Sequence, residues 1–190
     1  MDISTYEKQF DTILNSEKNA PPYDNPEYLN YVKLNLSRIK RWYKVGHLLP
    51  ELVSIIKSIE HPQHWLLISE PWCGDAAHAQ PFLAMLADLN PLIRLEVQNR
   101  DAANSEIDNY LTNGGKSVPK LVVRGNNNDL FTWGPRPAEA QAIHLNNMKD
   151  EQLDFEDKKA ALQNWYNQDK GQSMQKELKH LLEENNKSLR

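Results

Sequence analysis

The chain has 190 residues, 39% of them hydrophobic, and a formal net charge of −4, which suits one globular body with a well-buried core. Acidic and basic residues are interspersed, and the absence of a long basic run argues against nucleic acid as a partner. The opening "MDISTYEKQFDTI" has no basic, apolar leader pattern and no apolar run approaches the roughly 18 residues of a membrane span, so no membrane association is expected and the reading is cytoplasmic.

Three helices are expected first. Tyr6, Phe10, Ile13 and Leu14 recur at helical spacing, "NAPPYDNP" interrupts them, and Tyr28, Val32, Leu36, Ile39 and Tyr43 resume the pattern. A third set, Leu49, Leu52, Ile55, Ile56 and Ile59, starts beside Pro50, a residue suited to a first helical turn. Residues 1–60 thus read as an N-terminal helical extension packed on the body. From residue 61 the pattern changes to that of an α/β domain. "HWLLIS" has the length and apolarity of a buried strand, "DAAHAQPFLAMLADLN" reads as a helix, and "LIRLEVQN" alternates as a second strand. The resulting βαβ unit predicts parallel neighbours with a right-handed crossover.

"NSEIDNYLTNGG" is expected to be another helix, opened by an Asn cap, carrying Ile107 and Leu111 four apart, and ended by paired glycines. "VPKLVVRG" and "DLFTWG", joined through "NNN", predict an antiparallel hairpin. A helix follows "GPRP", and residues 151–190 read as a helical extension with an intermittent apolar stripe of Leu162, Trp165, Tyr166, Met174, Leu178, Leu181 and Leu182. Docking on the body is the expected use of that stripe.

The single cysteine, Cys73, stands in "PWCGDAAHAQP" at the junction between the first strand and the following helix. Unpaired N–H groups and the helix dipole at such a position stabilise a thiolate, the form that attacks disulfides. With one cysteine the chain can form no internal disulfide, so any oxidised form involves a second molecule.

"WCGDA" resembles the Trp-Cys-Gly-Pro-Cys motif of the thioredoxin family. Pro81, eight residues on, corresponds to the family's kink-forming helix proline, "SVPKLVV" to the loop with a cis-proline, and Gly134 to the glycine after the second hairpin strand. Over residues 61–150 the resemblance implies a thioredoxin-like α/β fold: a mixed sheet of about four strands with helices on both faces. It also implies roles. Cys73 would be the nucleophile, with Trp72 and Gly74 shaping access and the Ala76 amide holding the sulfur anion. Val118 and cis-Pro119 would align a partner's disulfide.

The chain departs from the family where chemistry is decided. Ala76 occupies the place of the second cysteine, which excludes self-resolution and passes that step to an external thiol. Asp75 replaces the motif's proline, and its charge opposes a thiolate; Glu70 stands close enough in sequence to add to that repulsion. Leu67 takes the place of the family's buried acid. His78 either pairs with Asp75 across one helical turn or is simply solvated.

The expected activity is monothiol thiol–disulfide exchange at an at least partly exposed Cys73, with protein disulfides or a low-molecular-weight thiol as partners. A redox-inactive thioredoxin-fold binding or scaffold module is the alternative, and a peroxide-sensing thiol is chemically allowed. No cofactor or metal is expected: His61 and His64 lie in a turn-like stretch, and their spacing with Cys73, Asp75 and His78 matches no familiar zinc pattern. Glu156 with Asp157, and Glu183 with Glu184, read as solvated surface.

Overall fold

The computed structural model describes residues 1–126 and 128–187. Asn127, part of the "NNN" stretch expected to join the hairpin, and residues 188–190 of the expected C-terminal extension lie outside them. Helix α1 (Ile3–Asn15) begins where the Asp2 side chain accepts the Thr5 N–H at 2.8 Å, and it buries Tyr6 and Phe10. In α2 (Pro26–Val45) Asn25 caps the Glu27 N–H, Pro26 opens the first turn, and Val32, Asn35, Ile39 and Trp42 form the buried stripe. Helix α3 (Pro50–Lys57) buries Leu52 and Ile56.

Strand β1 (Gln63–Ser69) leads into α4 (Gly74–Ala87), which contains Pro81, and then into β2 (Ile93–Asn99), parallel to β1 with Gln63 opposite Ile93. Strands β3 (Lys120–Gly125) and β4 (Asn128–Trp133) form an antiparallel hairpin, and β3 also runs antiparallel to β1. The sheet order is β2-β1-β3-β4. Three helices follow: α5 (Ala138–Lys149), α6 (Phe155–Asp169) and α7 (Gln172–Lys187).

Strand alternation divides the apolar side chains between two clusters. Trp65 and Leu67 of β1, with Leu121 and Val123 of β3, join the main core shared by α1, α2, α3, α4 and α7. Leu66, Ile68 and Val122 point the other way and meet Ile107, Val118, Ala76 and Cys73. Burial on both faces is why β1 reads as a continuous apolar run.

That second cluster corrects one expectation. Only Ile107–Asn109 of the helix expected from "NSEIDNYLTNGG" is helical, as a single 3-10 turn. The Gln98 side chain accepts the Glu106 N–H at 2.7 Å and donates to the Asn104 carbonyl at 3.0 Å, supplying the polar partners that a helix would have provided. Ile107 is buried while Leu111 is exposed, so the two share no packed helical face.

The C-terminal stripe docks, though not as one helix. Lys170 and Gly171 both have positive φ and separate α6 from α7. A Cβ on Gly171 would lie 2.5 Å from the Phe82 ring, so the close approach there requires glycine. Met174, Leu178 and Leu182 enter the main core. Buried Gln175 accepts the Leu49 N–H at 2.8 Å, and Glu177 accepts from the Trp133 indole and the Ala138 N–H, both at 2.7 Å. The first two turns of α7 therefore bind elements from both halves of the chain.

His78 is neither paired with Asp75 nor solvated. Only 5% exposed, it accepts the Trp42 Nε1–H at Nδ1 (2.9 Å), which leaves Nε2 to donate to Gln163 Oε1 (3.2 Å). Its ring stacks on Tyr166 with centroids 4.2 Å apart. Burial first, and the Arg38 charge second, push its pKa down to about 3.

Two predictions follow from this packing. Gly134 has φ +108°, and a Cβ there would lie 2.3 Å from the Pro119 carbonyl oxygen; we predict that Gly134→Ala lowers the unfolding free energy by about 2 kcal/mol or more in urea titration, and an unchanged midpoint would contradict the close approach. His78 stays neutral when folded, whereas the unfolded residue gains a proton below about pH 6.5. Its contribution is therefore complete above that pH and is lost as pH falls toward 3. Stability should decline on this account by up to about 1.4 kcal/mol per pH unit in that window. His78→Gln should flatten the acid limb, and an unaltered slope would contradict the assignment.

Candidate active site

The turn after β1 is tied by the Cys73 N–H to the Glu70 carbonyl at 2.9 Å, and it delivers Cys73 as the N-cap residue of α4. The sulfur accepts the Ala76 N–H at 3.5 Å and donates to the Val118 carbonyl oxygen at 3.3 Å. The Val118–Pro119 peptide is cis. Cys73 and Ala76 at the start of α4 thus meet Val118, 45 residues further along the chain and next to Pro119.

Cys73 is only 5% exposed, against the expectation of an open thiol. The cover comes from Ile107 and Val118 across the sheet edge, with Trp72 and Tyr110 packed against the same cluster. Burial, followed by the Asp75 charge, pushes the Cys73 pKa up to about 12, while the Ala76 N–H and then Arg136 pull it down by less. The resting sulfur is therefore a neutral thiol at physiological pH, held against a carbonyl that accepts its proton in a hydrogen bond.

Asp75 does not face the sulfur unattended. Its carboxylate pairs with Arg136 at 2.6 Å and accepts the Tyr166 hydroxyl at 2.7 Å. Both partners come from beyond β4, so Asp75 ties the C-terminal part of the chain to the turn that carries the thiol. Glu70 is held elsewhere: it accepts the Asp101 N–H at 3.0 Å, and burial pushes its pKa up.

Helix α2 braces the other side. Buried Asn35 donates to the Pro71 carbonyl at 2.9 Å and accepts from Arg38 Nη1 at 2.8 Å. A Cβ on Gly74 would come within 3.3 Å of that same Arg38 nitrogen. Trp72 stands edge-on to Tyr28, with ring centroids 6.0 Å apart, and lies 4.8 Å beneath the Arg100 guanidinium. Asn35, Arg38, Arg100 and Arg136 were not singled out from the sequence, and Tyr166 was read only as part of the docking stripe; Arg136 had a local signal in its place in "GPRP" directly after Gly134.

These groups line a groove of about 830 Å³ with Cys73 and Val118 among its lining residues, walled by α2 on one side and by α5 and α6 on the other. His61 is exposed in the turn before β1, and His64 pairs with Glu96 at 3.2 Å, well apart from the groove lining. Among the described residues, no cluster of three or more His, Cys, Asp or Glu side chains is placed to hold a metal ion, and no helix is long and apolar enough to cross a membrane.

Comparison with solved structures finds a protein of unknown function from Pseudomonas aeruginosa, 16% identical, with a TM-score of 0.53 over 97% of this chain and 88% of that one. An HIV epitope-scaffold, 17% identical, has a TM-score of 0.49 over 97% of this chain and 95% of its own. The first likeness concerns the fold alone. A search of curated proteins gives no significant match. The family model described as thioredoxin matches residues 23–158, which takes in α2 and α3 as well as the sheet. The chain belongs to the thioredoxin family.

Proposed function

We propose that this chain performs monothiol thiol–disulfide exchange through Cys73. The observation that carries the reading is the position of its sulfur at the start of α4, 3.3 Å from the Val118 carbonyl beside cis-Pro119, at the edge of a roomy groove. A disulfide docked along Val118 and Pro119 competes for that carbonyl's surroundings and frees the thiol. Cys73 then loses its proton to solvent, and the thiolate is held by the Ala76 N–H, the helix dipole and the nearby Arg136 charge.

The thiolate attacks one sulfur of the partner. A Cys73–partner disulfide forms, the partner's S–S bond breaks, and its other sulfur leaves with the electron pair as a thiolate. An external thiolate next attacks the partner's sulfur in this mixed disulfide, forming a new disulfide and returning Cys73 to its reduced state. Ala76 offers no internal route for that second step. The need for an external thiol fits a reducing compartment such as the cytoplasm. Trp72 and Gly74 shape the approach, and the partner is a protein or low-molecular-weight disulfide.

The strong upward pull on the Cys73 pKa favours a second reading, in which the groove binds a partner without redox turnover. The two separate cleanly. Protein isolated without reductant should carry a mass adduct at Cys73 that a reductant removes, and Cys73→Ser should lose partner capture. Absence of any adduct together with undiminished capture by the serine variant would overturn exchange in favour of the binding module.

The charge of Asp75 gives a further prediction. Asp75→Asn removes the anion that opposes the thiolate and leaves Arg136 free, so Cys73 alkylation at pH 8 should quicken by about tenfold. An unchanged or slower rate would contradict the electrostatic account.

A further inference from the structure

The groove's charge runs against that of the molecule. The chain carries a net −4, yet the groove lining includes six cationic side chains, Arg38, Arg100, Lys116, Arg136, Lys158 and Lys159, against the carboxylates of Asp75 and Glu156. Arg136 is paired with Asp75 and Lys159 with Glu156, while Arg100 and Lys116 pair with Asp101 and Asp108 from outside the lining. Arg38 and Lys158 have no ion pair among the described residues. Arg38 lies next to Gly74, directly beside the thiol's turn. Burial first, and the Arg41 charge second, pull its pKa down, with the Asp75 charge opposing, and its Nη1 donates to the Asn35 side chain.

Size and access narrow the occupant. A volume of about 830 Å³ lies within the range of small-molecule sites, roughly 300–1,000 Å³. The sulfur is only 5% exposed, covered by Ile107 and Val118, so a small flexible disulfide reaches it with less displacement of that cover than a disulfide fixed in a folded protein. We propose that the disulfide taken by this groove is a low-molecular-weight anion, recognised through Arg38 and Lys158. This inference rests on the exchange reading and specifies its substrate class. Clefts lined by one sign of charge concentrate ligands of the opposite sign and raise their association rates.

The test compares three small disulfides of different charge: 3,3′-dithiodipropionate (anionic), bis(2-hydroxyethyl) disulfide (neutral) and cystamine (cationic). Formation of the Cys73 mixed disulfide is followed by intact mass, and each rate is divided by the rate for the same chain unfolded in urea, which removes differences in intrinsic reactivity. The anion should lead the cation by about tenfold or more at low ionic strength, with the gap closing in about 0.5 M salt. Lys158→Glu, a change at a half-buried surface side chain, should narrow that lead, and Arg38→Gln should do so with the melting temperature checked in parallel.

Equal normalised rates, or a lead for cystamine, would overturn the charge assignment while leaving exchange standing. Faster reaction of an acidic peptide disulfide than of the small dianion would overturn the size assignment. If no disulfide reacts, the exchange reading fails. The unreactive thioether dianion 3,3′-thiodipropionate then decides the charge separately: calorimetric binding in preference to 2,2′-thiodiethanol supports the anion site, and binding of neither overturns it.

Discussion

The hydrogen bond from the Cys73 thiol to the Val118 carbonyl organises the site, because it joins the two chain segments whose meeting defines it. One is the strand-to-helix turn after β1, and the other is the proline loop before β3. Each segment is braced from behind. Gly134 lets its chain pass against the Pro119 carbonyl where any side chain would collide, and Lys120 spans from that turn to Thr112 through bonds of 3.1 and 2.8 Å to the Gly134 carbonyl and the Thr112 hydroxyl. Asn35 holds the Pro71 carbonyl from α2. The thiol is thus placed by backbone geometry that several distant elements fix together.

A neutral resting thiol is the electrical consequence. Burial against Ile107 and Val118 removes solvent from the sulfur, and Asp75 adds a negative charge close by. The helix N-terminus and the Ala76 N–H oppose these effects without overcoming them. Asp75 is also the point where the C-terminal region touches the chemistry, through Arg136 and Tyr166, and Tyr166 stacks in turn on His78, whose neutral ring bonds α2 to α6. The helices flanking the sheet therefore form part of the site's electrostatic setting as well as of its walls.

The sequence disclosed what depends on local order. The apolar run of β1, the alternation of β2, the capping residues and the proline punctuation located most elements, and the WCGDA turn with the Val118–Pro119 loop located the thiol's surroundings. What it concealed depends on partners distant along the chain. Cys73 is covered by Ile107 and Val118, and His78 is buried by Trp42, Gln163 and Tyr166; neither set of neighbours has a signature in the residues beside them. The helix expected from 104 gave way because a strand side chain, Gln98, satisfied its backbone. The convergence of the groove's cations was hidden for the same reason, since α2, the segment after β2, the proline loop, the turn before α5 and α6 each contribute only one or two.

The state of the sulfur is most directly measured by the ¹³Cβ chemical shift of Cys73 across a pH titration. A neutral thiol held on the Val118 carbonyl keeps its thiol shift through pH 9 and beyond, moving toward the thiolate value only in strong alkali. A thiolate shift already present at pH 7 would contradict the buried, carbonyl-bound thiol on which the account of this site depends.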